Sequence, residues 1–508
     1  MQNNKNRERW ATKIGIILAM AGNAIGLGNF LRFPVQAAQN GGGAFMIPYF
    51  ISLVILAIPV MWAEWALGRY GGSKGHGNAV GIFHCITKNP STRYIGILGL
   101  IFPLLVAFYY IYIESWTLAY SFFSIQREYF NLSSQTLMTD FLKNFQGLNS
   151  PIGVTVSAYL FFLITFSLNF LVVSGGISKG IERIALIGMP ILFLFALILT
   201  IRVFTLGTPD PSIPENNVIN GLGFIWNPDF SKLTDAKIWL QAAGQIFFTT
   251  SIGFGSIMCY ASYLKKDDDI AATGLSTVMT NEFAEVIFGG SIAIPVAYAF
   301  YGYTGTVDIA KSGAFNLGFV SLPIIFTKLP LGEFLGFIWF FLLFIAGITS
   351  SIALIQPFIS FLKDELGWSH KKAVIHTLII TFIGCNIAIF GLRYGIVDDF
   401  DFWAGTFGIT LFALIEIIIF TWIFGEKNAY EEINKGAKFN VPYIFIFLLK
   451  YISPLYIAIL MISWIYQDFS KIIEANIYQW VCRLSIIILF LYVALLVKRS
   501  LKNKGAQI

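Results

Sequence analysis

Twelve stretches of this chain are long and apolar enough to cross a bilayer, and that pattern constrains the fold more than any motif does. They lie near residues 12–38, 43–70, 94–124, 154–173, 181–205, 239–262, 271–301, 333–362, 373–391, 402–424, 445–465 and 478–498. Most exceed the roughly 20 residues that a hydrocarbon core requires of a helix. Hydrocarbon offers no partner to a bare peptide group, so spanning segments of this kind must pair their backbones internally, as helices. With 56% hydrophobic and 12% charged residues, the chain lies outside the soluble globular range. The expected fold class is an all-α polytopic membrane protein with twelve transmembrane helices.

Lys and Arg accumulate on the cytoplasmic side of such chains. Placing both termini inside puts 23 of the 34 basic residues on the inner face and 11 on the outer. Lys5, Arg7, Arg9 and Lys13, then Arg69, Lys74, Lys88 and Arg93, and finally Lys498, Arg499, Lys502 and Lys504 dominate the count. Topology thus accounts for the net charge of +6 without nucleic acid as a partner. Met1 to Trp10 is polar and basic, and the apolar run after it lacks a small-residue cleavage site, so it reads as a cytoplasmic tail rather than a signal peptide. The expected location is the cell inner membrane, multi-pass. Cys85, Cys259, Cys385 and Cys482 are scattered singly, and the four histidines are dispersed, which gives neither a metal spacing nor a disulfide framework. The larger polar connections, near 126–151, 206–236 and 303–331, fall outside as caps. There is no Gly-x-x-x-x-Gly-Lys-[Ser/Thr] phosphate loop, so movement must draw on gradients.

Two of the apolar segments are interrupted. Ala21-Gly22-Asn23-Ala24-Ile25-Gly26-Leu27-Gly28-Asn29-Phe30-Leu31-Arg32 breaks segment 1, and Thr249-Thr250-Ser251-Ile252-Gly253-Phe254-Gly255 breaks segment 6. Irregular backbone at membrane depth is tolerated where it lines a cavity or binds something. The second break comes five segments after the first, an odd number, so the second set enters from the opposite side, as in a 5+5 inverted repeat. The division reads as an N-terminal tail 1–10, a first repeat 11–205, an extracellular loop 206–235, a second repeat 236–425, peripheral segments 11 and 12 over 426–500, and a C-terminal tail 501–508.

Unwinding at the first break would free the N–H groups of Gly26, Leu27 and Gly28 beside a half-helix N-terminus, which suits a carboxylate. The released carbonyls of Gly22, Ala24 and Ile25, with the Asn29 side chain, would suit a small hard cation. Close helix packing by small residues is the plain alternative. Segment 7 carries Asn281 and Glu285 at i and i+4, and an intramembrane carboxylate is functional by default. Segment 8 aligns Ala346, Thr349, Ser350 and Leu354 on one stripe, although Ser and Thr often only bond back to the preceding turn. Segment 3 offers Val106, Tyr110 and Glu114 at four-residue spacing, a pattern equally at home in a core. Arg32 and Asp401 stand at outer helix ends, and Arg7 and Asp364 at inner ones; solvated charges would do the same.

The run Arg7-Glu8-Arg9-Trp10-Ala11-Thr12-Lys13, Gly22 through Pro34, Asn40-Gly41-Gly42-Gly43-Ala44-Phe45, Glu64-Trp65-Ala66-Leu67-Gly68-Arg69, Tyr109 through Trp116, Gly244 through Thr249, Ala346 through Ser351 and Asp401 through Thr406 resembles the neurotransmitter:sodium symporters. The likeness covers nearly the whole chain and implies their LeuT-like fold. It also implies two sodium ions as co-substrates and no organic cofactor. One sodium would be held by Ala24, Asn29, Thr249 and Asn281 with the substrate carboxylate, the other by Gly22, Ile25, Ala346, Thr349 and Ser350. The substrate amino group would meet Ala24, Phe248, Thr249 and Ser251, and its side chain Val106, Tyr110, Phe248, Ser251, Phe254, Ser350 and Leu354. Leu354 stands where a leucine-carrying member has isoleucine. Gly26 stands where monoamine carriers have aspartate, which favours an amino acid that brings its own carboxylate. Glu285 fills the place beside which chloride-dependent members bind chloride, so chloride independence is expected. The resemblance also implies an outer gate of Arg32, Asp401, Tyr110 and Phe248 and an inner gate of Arg7, Trp10, Ser262, Tyr263 and Asp364.

The function expected is a sodium-coupled symporter, not an enzyme, for neutral, mainly apolar L-amino acids, working by alternating access in a lipid bilayer. A channel would need a continuous polar stripe, and a membrane enzyme a nucleophile and base constellation, which the segments lack. A sensor that keeps the site without transport remains open on residues alone, as does a homodimer.

Overall fold

The computed structural model describes residues 8–150, 153–467 and 474–505. Every apolar stretch within them is helical, and the described residues hold no strand, only an isolated bridge between Gly42 and Pro228. The segments are α1 (Lys13–Ala24 and Gly28–Gln39), α2 (Gly43–Ser73), α3 (Thr92–Gln126), α4 (Val156–Ser174) and α5 (Ile177–Phe204), followed by α6 (Ala236–Thr250 and Ser256–Ala261) and α7 (Ile270–Lys311). The remainder are α8 (Gly332–Asp364), α9 (His370–Tyr394), α10 (Ile396–Ile423), α11 (Ile444–Gln467) and α12 (Ile477–Leu501). Ten of these are long and apolar enough to span, α7 with a kink at Gly302, and the two halves of α1, bent by 50°, make an eleventh. Neither piece of α6 reaches spanning length alone, so the count of twelve depends on taking its two pieces together.

Burial grades from centre to rim. In the most apolar window of α8, 94% of residues are inside the protein, against 33% in α11 and 22% in α12. The long helices α3 and α8 pack along each other and back the two broken helices, so the irregular backbone of α1 and α6 lies at the centre of the bundle. Short helices lie in the connections: Ala314–Thr327 precedes α8, and Gln135–Gln146, between α3 and α4, is capped by Ser134, whose hydroxyl accepts from Leu137 N–H.

Candidate functional site

The α6 break has a local cause. After Thr250 the chain turns through Ser251 (φ 53°), Gly253 (φ 78°) and Gly255 (φ 71°), a left-handed path that ends the helix and restarts it at Ser256. A Cβ on Gly253 would stand 2.2 Å from the Ile409 carbonyl oxygen, so the backbone of α6 presses directly on α10. The Gly253 N–H, lost to the helix, donates instead to Glu64 Oε1 of α2 at 2.6 Å, with Glu416 of α10 beside it. At the α1 break two of the three expected free donors are already engaged. Gly26 N–H donates to Asn29 Oδ1 at 2.8 Å and Leu27 N–H to the Tyr110 hydroxyl at 3.1 Å. Buried N–H groups are rarely left without an acceptor, and here both acceptors are side chains that can rotate away.

Both breaks open on one cavity of about 30 Å³, room for little more than a water. Of the residues expected around a substrate, Ala24, Gly26, Gly28, Val106, Tyr110, Phe248, Thr249, Ser251, Phe254, Ser350 and Leu354 line it; Leu27 faces Tyr110 through its backbone. Asn23 and Asn29 complete the wall, and none of the thirteen lining residues is charged. Gly28, Tyr110 and Phe248 also line a second cavity of about 310 Å³, so these three form the partition between the two.

Two groups of oxygens flank the small cavity. Asn29 Nδ2 donates to Thr249 Oγ1 at 3.1 Å and to Asn281 Oδ1 at 2.9 Å, and Asn281 Nδ2 donates to Thr249 Oγ1 at 3.1 Å, which joins α1, α6 and α7 in a triangle. The Ser350 hydroxyl stands 3.2 Å from the Gly22 carbonyl, 3.4 Å from that of Ile25 and 3.1 Å from that of Ala346. Thr349 bonds back to Ile345 and Ala346, as the plain alternative for segment 8 holds, while its Cβ faces Gly22. Each set assigned by the resemblance to one sodium is therefore brought together, the first at the α1–α6–α7 contact and the second at the α1–α8 contact.

Glu285 is enclosed by donors. Gln245 Nε2 reaches it at 2.9 Å, the Tyr49 hydroxyl at 3.0 Å, and the Thr249 hydroxyl also donates to it. Tyr49 bridges to a second carboxylate, Glu282, at 2.7 Å, which in turn accepts from Asn281. Sequence reasoning passed over Tyr49, Gln245, Glu282, Asn23 and the bond from Glu64 to Gly253. An acid directly after Asn281 was the one visible hint, since the other partners come from distant segments.

At the outer gate Arg32 and Asp401 line the same 310 Å³ cavity without forming an ion pair. The Arg32 guanidinium lies over the Phe248 ring, 4.3 Å from its centroid, and Asp401 accepts from Tyr109 at 2.6 Å. At the inner gate Arg7 lies outside the described residues. Trp10 Nε1 donates to the Tyr260 carbonyl at 3.0 Å, the Ser262 hydroxyl to the Cys259 carbonyl, and Gln356 to the Tyr263 hydroxyl at 3.3 Å. Asp364 accepts from Gly77 N–H at 2.8 Å, which ties α8 to the loop after α2. Beside it, Glu365 takes Arg93 at 3.2 Å and also His76. Burial lowers the affinity of His76 for its proton, but the Cys85 and Glu365 side chains outweigh that and raise its pKa to about 9.

Residues 7–140 and 128–502 match the sodium:neurotransmitter symporter family. An uncharacterized sodium-dependent transporter of Haemophilus influenzae is 30% identical over 483 residues, 91% of this chain and 99% of that one. Another, from Methanocaldococcus jannaschii, is 29% identical over 471 residues, 92% of each chain. The sodium- and chloride-dependent glycine transporter 2 of Xenopus laevis is 27% identical, over 91% of this chain and 65% of its own length. The crystal structure of MhsT in complex with L-phenylalanine superimposes with a TM-score of 0.76 at 29% identity, covering 90% of this chain and all of that one. A family match that runs from residue 7 to residue 502 leaves one conclusion: this chain is a member of the sodium:neurotransmitter symporter family, a sodium-dependent membrane transporter.

Proposed function

We infer that the protein carries neutral, mainly apolar L-amino acids into the cell together with two sodium ions, by alternating access and without a chloride requirement. The observation that carries this reading is the uncharged cavity between two helix breaks. A substrate held there must be neutral overall, because a net charge would be buried unpaired. A zwitterion satisfies that condition: its carboxylate would complete the Ala24, Asn29, Thr249 and Asn281 oxygens around one sodium, and its amino group would meet carbonyls of the broken backbone. Val106, Phe254 and Leu354 give the cavity an apolar wall, which the side chain would meet once the cavity widens. The second sodium would sit among Gly22, Ile25, Ala346, Thr349 and Ser350, bracing α1 against α8. The MhsT complex with L-phenylalanine supports an amino acid as the substrate class.

Alternating access follows from size. The cavity of about 30 Å³ is too small for a whole amino acid, so loading calls for Tyr110 and Phe248 to part from Gly28. The chloride reading rests on the cage around Glu285. Three donors converge where an anion would be needed, and the protein supplies the anion itself.

Uptake into proteoliposomes tests the reading. Saturable accumulation of a labelled aliphatic or aromatic L-amino acid is expected with an inward sodium gradient and unchanged when gluconate replaces chloride. Flux that ignores the sodium gradient would sink the symport reading, and a several-fold fall in gluconate the chloride reading.

A further inference from the structure

Arg7 of the expected inner gate lies outside the described residues, and the described start of α1 has a hold of its own on the bundle. That hold comes from another element. Glu182 of α5, 1% exposed, accepts from Ala11 N–H at 2.8 Å, from Thr12 N–H at 2.9 Å and from the Thr12 hydroxyl at 2.8 Å. Thr12 is itself the N-cap of α1, its hydroxyl accepting from Gly15 N–H at 2.9 Å. The Glu182 carboxylate therefore extends the cap, supplying acceptors to N–H groups that precede the helix and placing its charge at the positive end of the helix dipole. No ion pair joins Glu182 among the described residues, so the entrance to α1 is what compensates its charge.

Fit and mounting support a dedicated contact. A Cβ on Gly15 would stand 2.1 Å from Glu182 Oε1, so the carboxylate occupies the space of the missing side chain. Glu182 ends the π-helical turn Ile177–Glu182, which starts from Gly176 at φ 73°, and such turns recur at functional sites. Farther along, α5 touches α1 again where Met189 Sδ stands 3.1 Å from the Cβ position of Gly22, one of the residues assigned to the second sodium. One helix thus grips both the entrance and the break of the half-helix Lys13–Ala24.

We propose that Glu182 is a positioning residue for transport: a latch from α5 that holds the cytoplasmic half of α1 closed and keeps Gly22 and Ile25 in place for the inner sodium ion. Opening to the inside exchanges three protein hydrogen bonds for water around an acceptor-only carboxylate and its donors, which becomes feasible when water enters from that side. The latch rests on the sodium-symport reading for its consequence and on geometry for its existence.

The test uses the full chain in nanodiscs, with hydrogen exchange over residues 11–24 and binding of a labelled neutral amino acid against sodium. In Glu182→Ala, exchange over 11–24 is expected to rise at low sodium, and half-saturating sodium to rise by about tenfold, as for a protein whose binding-competent state is depopulated to that degree. High sodium should restore protection, which a purely structural defect would not allow. Gly15→Ala, which leaves the acid in place but displaces it, should act in the same direction, and Thr12→Val, which removes one of three donors, should act less. Unchanged exchange over 11–24 in Glu182→Ala and Gly15→Ala, or a loss of protection that high sodium does not restore, overturns the latch. Sodium-independent binding by the unaltered protein would overturn the symport reading alone, because the exchange rise at zero sodium reads the latch separately.

Discussion

Gly26 and Glu285 are where the proposed function assigns the choice of substrate and of anion to single positions. A Cβ at Gly26 would stand 2.8 Å from the Tyr110 hydroxyl and 3.1 Å from Ser350 Oγ, so even a methyl group displaces the two hydroxyls that border the cavity. Gly26→Ala is expected to lower amino-acid uptake at least about tenfold, the cost of misplacing groups by an ångström or so in a positioned site. Replacing Glu285 by Ser removes the anion from a cage that keeps the Tyr49 and Gln245 donors, and uptake by Glu285→Ser is expected to become dependent on chloride, checked by gluconate exchange. At this scale residue type and spacing singled out Asn29, Asn281 and Ser350 as polar groups at membrane depth, and the family resemblance, not the spacing, joined them with Thr249 into ligand sets. Tyr49, Gln245 and Glu182 were not legible: their roles come from partners on other helices, and nothing near them in sequence announces the contact.

Among the elements, the two broken helices carry different kinds of support. The break in α1 is held by exchangeable side-chain acceptors, Asn29 and Tyr110, whereas the break in α6 is fixed by left-handed backbone and a carboxylate from α2. Gly253→Ala should therefore act through the fold: strain at φ 78° together with the contact to Ile409 is expected to cost about 1–3 kcal/mol or more, seen as a lower unfolding midpoint in detergent. Glycine in an apolar run announced both breaks in the sequence. The sequence also led to three free donors at the first break, where the structure engages two of them, because a pattern of glycines reports that the helix stops and not what satisfies the backbone there.

For the molecule as a whole, the end that carries His76, Arg93 and Glu365 is tied by charge, while the helices at the rim are the least covered by protein. His76 has its pKa raised from 6.5 to about 9. A raised value means the contact with Glu365 stabilises fully below about 6.5 and is lost as pH climbs through about 9. Thermal stability is expected to fall across that window, and His76→Gln to flatten the fall. The all-helical, many-spanning fold was readable from hydropathy, and the broken runs pointed to segments 1 and 6 as a shared site; the resemblance added segments 3, 7 and 8 to it. The gate partners were not readable, since charges at helix ends carry no information about which neighbour they will meet. The graded burial has a consequence for handling. With 22% of its apolar window covered by protein, α12 has lipid as its principal solvent, so its conformation depends on the surrounding medium as that of α8 does not. Short-chain detergent should loosen α12 first, with amide exchange rising there before the centre responds, and returning the protein to a bilayer should restore it.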